Sequence, residues 1–186
     1  MRIISGKLRG TKLETLSGEN TRPTLDRVRE SLFNIIQMEI KDSIFLDLFS
    51  GSGACGLEAI SRGAKKAIMC DNSKEAIKVI QKNVAKTRTK EQVEIYQMSF
   101  ETLLRSEIYD TLDIVYIDPP YKTDYAYQSV KILIERKLIK EESVVIIETD
   151  EQEKVKKEIE ELEIEITDTR KYGRAHLIFL KVKGKK

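Results

Sequence analysis

The stretch IFLDLFSGSGACGLEAISR (44–62) decides the architecture. IFLDLF (44–49) is an apolar run of strand length. It passes through Gly51, Gly53 and Gly56, a G-x-G-x-x-G turn, into a helical stretch that ends near Arg62 with Leu57, Ala59 and Ile60 as apolar positions. Downstream the rhythm repeats. KAIMCD (66–71) is a strand, and Ser73 caps a helix reaching about Lys86 with Ala76, Ile77, Ile80 and Val84 inward. VEIYQM (93–98), LDIVYID (112–118) and SVVIIET (143–149) are further strands. Between and after them come a short helix at Phe100–Leu104, a helix capped by Asp124 and running to Arg136, and a charged helix from about Glu151. EIEITDTRKY (163–172) and AHLIFLKV (175–182), separated by Gly173-Arg174, form a hairpin.

Nearly all-apolar strands alternating with helices read as a parallel sheet covered on both faces, and the terminal hairpin adds an antiparallel edge. The fold class is therefore α/β, with a mostly parallel seven-stranded sheet. Upstream, Val28, Leu32, Phe33, Ile35 and Ile36 share one side of a helix from Leu25 to about Ile40, with Arg27, Arg29 and Glu30 elsewhere. Residues 15–24 are polar and turn-rich, a linker, and residues 1–13 flank Gly6 and Gly10 as a small basic β-hairpin.

Composition narrows the chemistry. Of 186 residues 40% are apolar and 34% charged, enough for one sizeable core, and the net charge of +2 says little about partners. Cys55 and Cys70 are too few for a disulfide scaffold or a four-cysteine zinc site, and the lone His176 excludes a multi-imidazole one, so no metal site is expected. No run approaches the ~18 apolar residues of a membrane helix. Neither a signal peptide nor a membrane partner is expected, and a cytoplasmic, thiol-reducing setting is. The Lys74, Lys78, Lys82 and Lys86 row reads as a solvated helix face.

A glycine turn between strand and helix lets backbone approach a ligand closely. Asp71, closing the second strand 20 residues after Gly51, suits ribose hydroxyls. Together they indicate a nucleoside cofactor. Asp47, at the end of the first strand, is awkward for a pyrophosphate and favourable for the ammonium and sulfonium of S-adenosylmethionine; its other reading is a turn cap. Asp118-Pro119-Pro120-Tyr121 leaves the fourth strand as a stiff segment with two acceptors and a ring. The Asp118 carboxylate and Pro119 carbonyl suit the two hydrogens of an exocyclic amine, and Tyr121 suits stacking on its base.

The pair DLFSGSGACG and DPPY resembles the Rossmann-like S-adenosylmethionine-dependent amino-methyltransferases. RIISGKLRG, RPTLDRVRE (22–30) and the late KYG narrow the resemblance to the bacterial RsmD family. That resemblance implies methylation of guanine N2 at one position of 16S rRNA, a guanine-966-type site, during assembly of the small ribosomal subunit. It implies Asp118, Pro119 and Tyr121 as catalytic residues. Thr24, Asp47, Gly51, Gly53, Gly56, Asp71, Asn72, Ser99 and Phe100 would surround the cofactor, with Ser99 standing where many methyltransferases carry an acid. Arg2, Lys7, Arg9, Arg22 and Arg27 would meet the RNA. Residues 1–24 would form the basic extension and 25–186 the methyltransferase domain of a monomer. The alternatives are an adenine-N6 DNA methyltransferase using the same DPPY chemistry, a nicotinamide-dependent dehydrogenase, and a non-catalytic RNA-binding module.

Overall fold

The computed structural model describes residues 1–16, 23–106, 111–120 and 122–184, and for 23–25 the backbone alone. Its helices are α1 (Pro23–Ile35), α2 (Gln37–Ile40), α3 (Ala54–Ser61), α4 (Lys74–Thr87), α5 (Phe100–Arg105), α6 (Tyr125–Glu135) and α7 (Gln152–Ile159). Its strands are β1 (Ile44–Asp47), β2 (Lys66–Asp71), β3 (Val93–Gln97), β4 (Leu112–Ile117), β5 (Ile139–Thr149), β6 (Ile164–Tyr172) and β7 (Ala175–Val182). They form a seven-stranded sheet in the order β3-β2-β1-β4-β5-β7-β6. β1 to β5 run parallel, β7 lies antiparallel between β5 and β6, and β6 is the edge. This is the expected mostly parallel α/β sheet with an antiparallel C-terminal pair.

Strand alternation divides the core in two. Phe45, Met69, Ile114 and Ile146 pack with Leu32 and Phe33 of α1, Leu57 and Ile60 of α3, and Ile80 of α4. Leu46, Ile68, Val115 and Ile147 pack on the other face with Leu103 and Leu104 of α5, Leu133 of α6 and Ile159 of α7. Each such side chain contributes about 1.5–3 kcal/mol by leaving water. The strand order reverses between β1 and β4, so the loops after those strands turn away from each other and leave a crevice at the sheet's C-terminal edge.

Local chemistry explains the boundaries. The Ser73 hydroxyl caps α4 by accepting from the Ala76 N–H, and Ser99 caps α5 by accepting from Thr102. Asp124 precedes α6 but makes no cap bond; its carboxylate accepts from the Gln128 side chain instead. β5 starts four residues before the expected Ser143 because the Ser143 hydroxyl accepts from the Lys140 N–H and donates to the Leu112 carbonyl, holding a register shift in the β4–β5 pair. The expected single helix from Leu25 to Ile40 is broken at Ile36, which leaves the helical region (φ −94°, ψ 19°). Ile35 lies outside the buried stripe, and Arg29 is buried, contrary to its expected outward position.

The N-terminal hairpin is reduced to one antiparallel bridge, Arg2–Lys12. Backbone bonds such as Ile3 N–H to the Thr11 carbonyl and Leu13 N–H to the Met1 carbonyl hold its two arms together, and further backbone groups are given to α3. The Ile4 and Ser5 N–H groups donate to the Glu58 carboxylate, and the Lys7 N–H to the Ser61 carbonyl at 2.8 Å. Ile3 and Leu13 enter the same core cluster as α1 and α3. Asn83 of α4 then holds Glu14 through both its backbone groups. The expected division between residues 24 and 25 falls inside α1. Among the described residues no helix is long and apolar enough to cross a membrane.

Gly6 shows how tight this docking is. At φ +81°, a Cβ there would lie 2.0 Å from the Ser61 carbonyl oxygen, whereas Gly10 at φ +84° faces open space. Gly6→Ala is expected to lower Tm by roughly 4–8 °C, and Gly10→Ala by about half as much, since it carries only the backbone strain. Equal losses in thermal denaturation would contradict the docking.

Candidate functional site

A cleft of about 670 Å³ opens where the strand order reverses, over the ends of β1, β2 and β4. Of the residues singled out in the sequence, Asp47, Gly51, Asp71, Asn72, Ser99, Phe100, Asp118 and Pro119 line it. Asp47 and Asp118, 71 positions apart in sequence, are thus brought to one surface. Arg22 and Tyr121 lie outside the described residues, as does the side chain of Thr24, whose backbone stands in the first turn of α1.

Asp47 ends β1 with 1% of its surface exposed, and its Oδ2 accepts the Gly56 N–H at 3.1 Å. Burial pushes its carboxyl up from 3.8 to about 7, with the Gly56 bond lowering it and the nearby Asp71 raising it. Asp71 joins the two turns. Its Oδ2 accepts from the Gly51 N–H at 2.9 Å and its Oδ1 from the Ser73 N–H at 2.8 Å. The first glycine's N–H is therefore spent on Asp71, and the carboxylate reaches a ligand only with its remaining lone pairs.

Gly53 and Gly56 are placed differently from expectation, since neither lines the cleft. A Cβ on Gly56 would stand 2.4 Å from the Met69 methyl, and one on Gly53 3.2 Å from the Met69 sulfur. These glycines bring α3 down onto β2, and Gly53 at φ +77° also turns the chain into that helix. Ser99 is the α5 cap as well as a wall residue, its hydroxyl shared with Thr102. Arg2, Lys7, Arg9 and Arg27 are exposed. Lys7 Nζ donates to the Gln92 side chain. His176 sits in β7 opposite Thr149 and Lys171 and is not a wall residue.

Phe49, Tyr116, Tyr125 and Glu148 also line the cleft and carry no sequence signal. Phe49, Phe100 and Tyr125 form an aromatic cluster, with ring centroids 5.4, 4.9 and 6.3 Å apart. Tyr116 donates its hydroxyl to Glu148 at the end of β5, and burial raises the Glu148 carboxyl. Cys55, on the cleft floor, has its thiol raised well above the ordinary range by burial and by Asp47. Asp47, Asp71, Glu101, Asp118 and Glu148 line the cleft, and among the described residues Arg29 is the one cationic side chain that does.

Residues 1–181 match the model of a family described as conserved hypothetical protein 95. The chain belongs to this family, the RsmD family. Ribosomal RNA small subunit methyltransferase D of Haemophilus influenzae is 38% identical over 152 residues, 81% of this chain and 79% of that protein. YlbH of Bacillus subtilis is 30% identical over 186 residues, 99% of this chain and 100% of its own length. The solved structure of the Escherichia coli protein yhhF, 27% identical, superposes with a TM-score of 0.85 over 100% of this chain and 99% of that one. The Rossmann-like methyltransferase fold and the RsmD resemblance read from the motifs agree with these likenesses.

The buried Asp47 carries a pH signature. In the unfolded chain it ionises at its ordinary value; in the folded protein it stays neutral up to about 7. Its contribution to stability is therefore present below about pH 4 and lost as the pH rises through 7. Asp47→Asn retains an acceptor for Gly56 and removes that loss. Without ligand, the variant is expected to match the parent Tm near about pH 4 and exceed it by several degrees near about pH 8. Calorimetric scans at both pH values check this; a parent that outlasts the variant at high pH would contradict it.

Proposed function

We propose that this chain transfers a methyl group from S-adenosylmethionine to the exocyclic N2 of a guanine in 16S rRNA, at the guanine-966-type site, in the cytoplasm during small-subunit assembly. The observation that carries this reading is the opening of the Asp118-Pro119 step onto the same cleft as Asp47 and Asp71. An amine held at one end then lies beside a nucleoside held at the other. The acidic wall favours a cationic ligand over a dinucleotide pyrophosphate. The names of the Haemophilus influenzae and Escherichia coli relatives, ribosomal RNA small subunit methyltransferase D, support ribosomal RNA as substrate.

The residues fit the donor. Asp71 and Asn72 would take the ribose and Gly51 its backbone side, Asp47 the ammonium, and Ser99 and Phe100 the adenine, with Thr24 at the mouth. When bound, the donor supplies an electrophilic methyl group on a neutral leaving group. Asp118 and the Pro119 carbonyl accept the two hydrogens of the target amine and aim its lone pair. Asp118 also stabilises the positive charge that grows on nitrogen. The methylated amine is strongly acidic and releases its proton without a strong base. Tyr121 is assigned to stacking on the target base. Alignment of this kind is worth roughly 7–11 kcal/mol.

The basic turn supports RNA contact. Arg2, Lys7 and Arg9 are exposed on a segment pinned to α3, and Met1 of the same segment lines the cleft. Arg27 on α1 is exposed too, and Arg22 is assigned to RNA contact as well.

Single-turnover assays with labelled donor and small-subunit RNA, followed by nucleoside digestion, are expected to yield N2-methylguanosine. Label in N6-methyladenine would overturn the guanine assignment in favour of the adenine alternative. Asp118→Ala should lower turnover by about 100- to 1,000-fold with donor affinity nearly unchanged, because its contact strengthens only as nitrogen gains charge. Reversing Arg2, Lys7 and Arg9 to glutamate should raise the Michaelis constant for RNA and flatten its salt dependence, leaving turnover at saturation close to the parent value. An unchanged Michaelis constant removes the turn from the RNA interface.

A further inference from the structure

Arg29, on α1, is 5% exposed and lines the cleft. Its hydrogen bonds all leave from Nη2, to the Arg2 carbonyl at 2.6 Å and to Asp26 at 3.1 Å. Nε is buried without a hydrogen bond, 3.9 Å from Glu58 Oε2. Glu58 cannot serve it well. That carboxylate already accepts from the Ile4 and Ser5 N–H groups and from Arg62 Nε at 2.7 Å. A buried guanidinium with unused donors beside a polar cleft is costly unless an anion completes it.

Its neighbours locate the anion. Arg29 stands against Glu58 of α3, the helix that leaves the glycine turn, and Asp47 accepts from Gly56 of the same helix, whereas Asp71 bonds Gly51 and Ser73. Arg29 thus belongs to the Asp47 end of the cleft. S-Adenosylmethionine carries two positive groups and one negative one, the carboxylate of its amino-acid end. Carboxylates dominate the wall, and Arg29 is its one cationic side chain among the described residues, the complement of the donor's one anionic group.

We propose that Arg29 binds the carboxylate of the donor's amino-acid end, an inference that rests on the reading of the cleft as an S-adenosylmethionine site. The Arg2 carbonyl and Asp26 hold the guanidinium by Nη2, which leaves Nε and Nη1 without a hydrogen bond among the described residues. The bond ties the donor to the N-terminal segment that also carries the basic turn.

The test uses full-length protein and two ligands, S-adenosylhomocysteine and its decarboxylated analogue, which keeps the ammonium and lacks the carboxylate. Calorimetry on Arg29→Gln, which can still donate to the Arg2 carbonyl, is expected to show S-adenosylhomocysteine binding weakened about 10- to 100-fold. The decarboxylated analogue should change by less than about 3-fold. Arg29→Lys, which restores the charge, should recover part of the loss. Equal weakening of both ligands in both variants would mean that Arg29 only supports the fold, and no weakening of either would remove it from the site; each overturns the inference. Parent protein that binds neither ligand overturns the donor reading itself, a result distinct from the other two.

Discussion

The parallel pairing of β1 with β4 is the constraint on which the rest depends. Phe45, Leu46 and Asp47 lie beside Ile114, Val115 and Tyr116, although the two strands are separated by three α-helices and two strands in the chain. Because β2 and β3 are laid on one side and β5 on the other, the loops leaving β1 and β4 part at the C-terminal edge. That parting makes the cleft, and it sets the glycine turn and Asp71 against Asp118 and Pro119. The dry strand cores on both faces hold the two ends at fixed separation, which is what alignment of two reactants requires.

A second tie makes the site inseparable from the N-terminus. Glu58 is fully buried in α3 and is neutralised by Arg62, by Arg29 at longer range, and by two backbone N–H groups of the first segment. A buried carboxylate is tolerable only with such partners, and removing them leaves an uncompensated charge. The basic turn is therefore a docked part of the core whose exposed side chains point outward. Met1 and Arg29 carry the connection from that turn into the cleft wall.

The cleft is built against stability. Asp47 and Glu148 are carboxylates held out of water near other acids, and both are pushed toward the neutral form by burial. A site that concentrates acids before its ligand arrives stores electrostatic cost that a cationic ligand relieves. Tyr116, hydrogen-bonded to Glu148 and buried below Asp118, contributes to the same acid-lined floor.

The sequence by itself determined the alternating elements, the hairpin at Gly173, the cap at Ser73, and the placement of the glycine turn, Asp71 and Asp118-Pro119 at strand ends. These rest on local periodicity, capping chemistry and the stiffness of proline, which act within a few residues. Only the tertiary structure decided which charges are buried. Arg29 and Glu58 look like solvated positions on amphipathic helices, because their partners lie 27 and 54 residues away in the Arg2 carbonyl and the Ile4 N–H. The same holds for Gly53 and Gly56, whose motif suggests ligand approach but whose missing side chains make room for Met69 of the next strand. The Phe49, Phe100 and Tyr125 cluster was equally invisible, since aromatic rings from three separate segments read as ordinary core until packing brings them together. A local rule names a residue's conformation; whether its charge or its volume can be buried there depends on groups that only the folded chain supplies.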